Sequence, residues 1–136
     1  MSNTSTVTYL GDLRTEAIHV KSQHAICTDA PTDNQGKGAL FSPTDLMATS
    51  LASCMLTVMG IAARAHGIPF EHISSEVTKV MASNPRRISE IQVEMVVNQD
   101  WSVDQKKRLE RVALACPVAK SLSPSIKQHV NFRYTT

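Results

Sequence analysis

The stretch SLASCMLTVMGIAARAHG, residues 50–67, sets one cysteine, Cys54, in a run of small and apolar residues that reads as a helix. A second cysteine, Cys116, stands directly before Pro117, where a proline can open a new helix and its free amides favour a thiolate. Taken alone, Cys54 can pack as a small hydrophobe beside Ala52 and Ser53, and Cys116 can be a plain junction residue between helices. Ionised, either sulfur is a nucleophile. Cys27 falls in a predicted strand and reads as structural burial. The three cysteines form no CxxC pair and the five histidines show no metal-ligand spacing, so a structural zinc site is not expected. In a reducing cytoplasm a permanent disulfide is disfavoured, and any pairing of these thiols is transient and chemical.

The elements that must position these sulfurs follow from length and pattern. A chain of 136 residues suits a single domain, residues 1–136, able to bury a core. Apolar residues at 42% and charged residues at 19% fit a folded globular chain. Fourteen Lys and Arg face twelve Asp and Glu without a basic block, which gives no reason to expect nucleic acid. MSNTSTVTYLGDLRTE lacks the apolar core of a signal peptide, so the cytoplasm is the expected location. Leu46 to Ala63 is uncharged and long enough to span a membrane. Its Thr49, Ser50, Ser53 and Thr57, with Arg64 and His66 following at once, suit a helix buried in protein instead.

Thr6–Leu10, Arg14–His19 and Gln23–Thr28 alternate and are separated by turn formers, which predicts a three-stranded antiparallel meander. Residues 29–42, DAPTDNQGKGALFS, read as a loop; Lys37 between Gly36 and Gly38 forms an anion-binding loop, a lid or a flexible connector. Ser42, Pro43 and Asp45 start a helix by N-cap, first-position proline and N3 acid, and Gly67 with Pro69 stop it near His66. Such a helix is about 35 Å long. It is apolar on nearly every face, and one small sheet would struggle to cover it, so a second subunit is expected to help. Met47, Met55 and Met59 recur at near-helical spacing as core filling, and His66 is placed to meet the terminal carbonyls. Glu71–Ala82 and Arg87–Val97 form a hairpin across Ser83–Arg86. Ser102–Ala115 is an amphipathic helix, PVAKSL adds a short helical turn, and Val130–Tyr134 closes as a strand. The fold class is α+β.

The spacing of SPTDLMATSLASC, with a proline opening a helix eleven residues before a cysteine, resembles the OsmC/Ohr family, and so does ACPVAKSL around Cys116 some sixty residues on. The order of elements is similar over essentially the whole chain. The resemblance implies an OsmC-like fold, a meander and hairpin around a long buried central helix, in an intertwined homodimer whose sites form between subunits. It also implies thiol-dependent reduction of small organic hydroperoxides. Cys54 would then be the peroxidatic nucleophile, Cys116 the resolving thiol, and an external dithiol of lipoyl type the reductant, without metal, flavin, nucleic acid or membrane. Arg14, after the Gly11-Asp12 turn, falls where the family carries the arginine that favours the thiolate and binds peroxide oxygen.

One position departs from the family's hydroperoxide-specific branch. The residue after the helix-opening proline is Thr44, where that branch has a glutamate that orients the arginine. Asp45 is the nearest carboxylate in sequence, and it either takes over the orienting role or serves only as the helix's N-terminal acid. The departure keeps a rival reading open, an OsmC-like dimer with little turnover that binds a small apolar ligand or senses redox state. Dimers whose cysteines are merely buried are the third possibility.

Overall fold

A computed structural model describes residues 2–136, which divide into two compact units, one ending at Leu46 and the other running from Met47 to Thr136. In the first unit β1 (Ser5–Gly11), β2 (Arg14–His19) and β3 (Ala25–Asp29) form the expected meander in the order β1-β2-β3, antiparallel throughout. Gly11, Asp12 and Leu13 all carry positive φ, at 91°, 53° and 62°. Two of these are not glycine, so the turn leading into Arg14 sits in a backbone region that L-residues seldom adopt. A single 3-10 turn, Thr32–Asn34, breaks the predicted loop. The remainder of that loop is tied back by Asp29 N–H to Phe41 O at 3.1 Å and Ala30 N–H to Leu13 O at 3.1 Å.

The meander carries little apolar burial. Val7 is 65% and Tyr9 63% exposed, Leu10 and Ile26 are exposed as well, and so are Leu40 and Phe41 in the loop beyond β3. The buried side chains here are polar instead: Thr28 and Asp29 at the end of β3, and Ser42 beyond it before Pro43. Thr15 and Thr28 pair through their hydroxyls at 2.6 Å, which satisfies both in the strand interior.

The long helix α1 (Pro43–His66) begins with a reciprocal capping box. Asp45 N–H donates to Ser42 Oγ and Ser42 N–H to Asp45 Oδ2, each at 3.0 Å. At the other end Gly67 takes φ +63° and Ile68 N–H reaches Ala63 O at 2.9 Å, a Schellman closure. His66 Nε2 lies 3.1 Å from Arg108 Nη1, a partner on another helix that the local pattern does not announce. Length and hydropathy alone would let α1 cross a membrane. Its residues Ala48, Leu51, Ala52, Met55, Met59 and Ala63 instead form a buried stripe in the core of the second unit. Met47 is out of phase with that stripe and 41% exposed, so it does not fill the core as its spacing implied.

In the second unit β4 (Ile73–Ala82) and β5 (Arg87–Val97) form the antiparallel hairpin. Alternate β5 residues Ile91, Val93, Met95 and Val97 are buried, as period-two patterning requires. The last strand, β6 (Lys127–Tyr134), starts three residues before the expected Val130, because Lys127, Gln128 and His129 are polar yet alternate in exposure like the rest. It pairs parallel to β5, which requires the crossover that α2 (Val103–Leu114) and α3 (Pro117–Ser121) provide. A capping box between Ser102 and Gln105 starts α2, which buries Leu109 and Ala113. Met59 is fully buried in this core, and Met59→Ala is expected to lower unfolding free energy by about 2–5 kcal/mol. Urea denaturation checks this, and a loss below about 1 kcal/mol would mean the site collapses around the smaller side chain.

Candidate functional site

Cys54 sits midway along α1, half-buried and packed against the core. Helical phase puts it one residue off the buried stripe, between Leu51 and Met55 on one side and the exposed Ser53 and Thr57 on the other. Cys116 is buried at 1% exposure. The local sequence fixes its role: Pro117 cannot continue α2 and opens α3, leaving Cys116 as N-cap in extended conformation. Its Sγ accepts the Ala119 N–H at 3.4 Å. All three cysteines are free thiols.

The second unit sets both candidate cysteines at one core. Cys54 packs against the core cluster that contains Cys116. Burial pushes the Cys116 pKa up, the Ala119 and Val118 amides work against that, and Cys54 raises it further. Cys116 is therefore held as a neutral thiol at neutral pH.

Arg14 and Asp45 belong to the first unit. Arg14, the first residue of β2, pairs across the sheet with Asp29, the last residue of β3. Its Nε donates to Asp29 Oδ1 at 2.6 Å and its Nη2 to Asp29 Oδ2 at 2.9 Å, a bidentate grip. The aspartate side chain is 3% exposed and that of the arginine 38%. Ala39 N–H adds a further bond to Asp29 Oδ2 at 3.2 Å. Thus the carboxylate that grips Arg14 is Asp29, while Asp45 closes the capping box of α1. Thr44 also serves the cap, with its hydroxyl 3.2 Å from Ser42 Oγ. Asp29 went unnoticed in the sequence because it was read as the first residue of a loop. Counting register back from the Lys21-Ser22 turn would have set it opposite Arg14.

Cys27 is not the sealed core residue expected of it. It is half-buried and lines a hollow of about 360 Å³ with Ala39, Leu40, Phe41 and Asp45. Among the described residues no group of three or more His, Cys, Asp or Glu is arranged to hold a metal ion.

The Arg14 pair predicts an acid response. The hydrogen bond from Arg14 is the main reason the Asp29 pKa lies below its usual value, with the guanidinium charge, the Ala39 amide and Lys37 adding to it against burial. A depressed folded-state pKa stabilises the fold above the unfolded carboxylate value near 3.9, and that contribution is lost as pH falls through the folded value. The urea midpoint should therefore drop as pH is lowered from about 5 towards 3, and the drop should be smaller in Asp29→Asn. Equal drops in both proteins would assign the acid sensitivity elsewhere.

The chain is a mixed α+β protein with one cysteine in its long helix and a second at a Cys-Pro helix junction. The OsmC-like protein family profile matches residues 36–131. A crystal structure from Psychrobacter arcticus 273-4, assigned provisionally to osmotic stress induction and detoxification response, shares 55% identity over 98% of this chain and 97% of its own, with a TM-score of 0.94. An OsmC-like protein from Mycoplasma pneumoniae shares the fold at 22% identity, covering 100% of this chain and 99% of that one, with a TM-score of 0.83. An organic hydroperoxide resistance protein OsmC from Legionella pneumophila does so at 15% identity, 98% coverage of both chains and a TM-score of 0.72. No curated protein matches the chain significantly in sequence. The chain belongs to the OsmC-like family.

Proposed function

We propose that this protein is a thiol-dependent peroxidase that reduces organic hydroperoxides through Cys54 and Cys116. The observation that carries the reading is that Cys54 packs against the core cluster that contains Cys116 and helps to raise the Cys116 pKa, both being free thiols. Structural neighbours named organic hydroperoxide resistance proteins support it. Cys54 thiolate attacks the distal peroxide oxygen, the O–O bond breaks, and the departing alkoxide takes a proton to leave as alcohol, while Cys54 becomes a sulfenic acid. The Cys116 sulfur then attacks the Cys54 sulfur, expelling the hydroxyl, which leaves as water with the Cys116 proton, and a Cys54–Cys116 disulfide forms. An external dithiol returns both thiols by exchange and is itself oxidised to a disulfide.

Arg14 supplies the cation in this reading, hydrogen-bonding thiolate and peroxide oxygen, in a homodimer whose sites form between subunits. The exposed Val7, Tyr9 and Ile61 support the dimer, since so much apolar surface calls for a partner. The cycle needs a reducing compartment, and we place it in the cytoplasm. Cumene hydroperoxide mixed with purified protein and dihydrolipoamide tests the reading. Catalytic peroxide loss is expected, and loss no faster than with dithiol alone would leave ligand binding or redox sensing as the function.

A further inference from the structure

Strand β6 exposes Lys127, His129, Asn131 and Arg133 and half-buries the alternate residues Gln128, Val130, Phe132 and Tyr134. Val130, Phe132 and Tyr134 pack against the core. Gln128 heads the same row with an amide where the pattern calls for an apolar side chain, in register with the fully buried Ile91. A half-buried amide costs free energy unless it is hydrogen-bonded. Here Nε2 of Gln128 donates to Ala119 O at 3.0 Å, in the middle of α3. None of the five residues of α3 is buried, and so short a helix does not sustain itself, because nucleation costs more than its few bonds return. The Lys120 N–H to Cys116 O and Leu122 N–H to Val118 O bonds, each at 3.1 Å, are local and do not fix α3 on the sheet. Ala119 is thus gripped twice: its N–H by Cys116 Sγ at 3.4 Å, its carbonyl by Gln128.

From this geometry we propose that Gln128 is a positioning residue for Cys116: by anchoring Ala119 to β6 it keeps the Ala119 N–H on the Cys116 sulfur and holds that sulfur for its attack on oxidised Cys54. The part in the attack rests on the function proposed above, whereas the hold on the sulfur does not. In that step the Cys116 sulfur bonds to the Cys54 sulfur, the S–O bond of the sulfenic acid breaks, and the hydroxyl leaves as water with the Cys116 proton. The attacking electron pair is that of the thiolate, so a group that favours the ionised sulfur speeds the step. Burial opposes ionisation of Cys116, and the Ala119 amide favours it. Without the Gln128 donor, Ala119 is free to leave the sulfur, and the Cys116 pKa rises.

Two near-isosteric variants test this. Gln128→Met removes the donor and suits the apolar row, and Gln128→Glu keeps the polarity but, ionised at neutral pH, also cannot donate. After one equivalent of cumene hydroperoxide, rapid-quench intact mass separates the gain of one oxygen on Cys54 from the later loss of water that marks the disulfide. The first step should run at the parental rate in both variants. The second should slow about two- to tenfold, the worth of one hydrogen bond, and its pH profile should move to higher pH. A second step at the parental rate in either variant, an unmoved pH profile, or equal slowing of both steps would overturn the proposal in an active peroxidase. Titration of Cys116 through its Cβ resonance in labelled protein needs no turnover. A pKa raised in both variants is expected, and an unchanged one would overturn the proposal whatever the protein does with peroxide. A raised value in a protein that consumes no peroxide would uphold the hold on Cys116 while removing the peroxidase reading.

Discussion

Cys54→Ser is expected to abolish peroxide reduction, lowering the rate of hydroperoxide loss by at least about a thousandfold, as removal of an attacking nucleophile does in enzymes whose catalytic residues act as a unit. Serine replaces sulfur with a smaller, far less nucleophilic oxygen while leaving α1 intact. Cys54 is only half-buried beside the core stripe, so folding should survive the change, and circular dichroism would confirm it. The substitution also removes the neighbour that helps to raise the Cys116 pKa. The Cys116 thiol should therefore titrate lower in Cys54→Ser, though still above an ordinary cysteine, because burial is the larger cause. A variant that still turns over peroxide would move the chemistry to another sulfur.

Cys116→Ser separates the two halves of the cycle. The first equivalent of hydroperoxide should still be reduced, since that step uses only the Cys54 sulfur. Steady turnover should then stop, because the sulfenic acid has no partner inside the chain and a second equivalent carries it to the irreversible sulfinic acid. Intact-mass measurement would show one added oxygen and then two on Cys54. Sustained turnover at the parental rate would mean that the external dithiol resolves the sulfenic acid unaided. Cys116 would then be only the buried N-cap of α3.

Much of this arrangement was legible in the residues. Local signals fixed the meander, the capping box at Ser42 and Asp45, the Gly67 stop and the Pro117 junction, because each depends on neighbours a few positions apart. Periodicity exposed the β4–β5 hairpin but not the parallel pairing of β6, since direction is set by a crossover that leaves no mark on the strand itself. Lys127, Gln128 and His129 hid the start of β6 because their types do not alternate even though their exposure does. Met47 looked like core from spacing alone, and only its angle around α1 separates it from Met55 and Met59.

The thiols show the same division. That Cys54 and Cys116 could cooperate came from the family resemblance, and nothing in a separation of some sixty residues brings them together. Folding sets both at one core cluster, with Cys116 buried at the Cys-Pro junction. Asp29 was missed for a related reason. The partner of Arg14 is chosen by cross-strand register between β2 and β3, which no residue near the helix announces.

The central claim is that two adjacent thiols form one redox pair. Peptide mapping under non-reducing conditions, after one equivalent of cumene hydroperoxide and rapid alkylation, tests it most directly. The account predicts a single Cys54–Cys116 linkage, two hydrogens lighter than the paired thiols, with Cys27 recovered in alkylated form. Recovery of Cys54 and Cys116 as separate alkylated peptides after the peroxide has been consumed, or a linkage through Cys27, would contradict it.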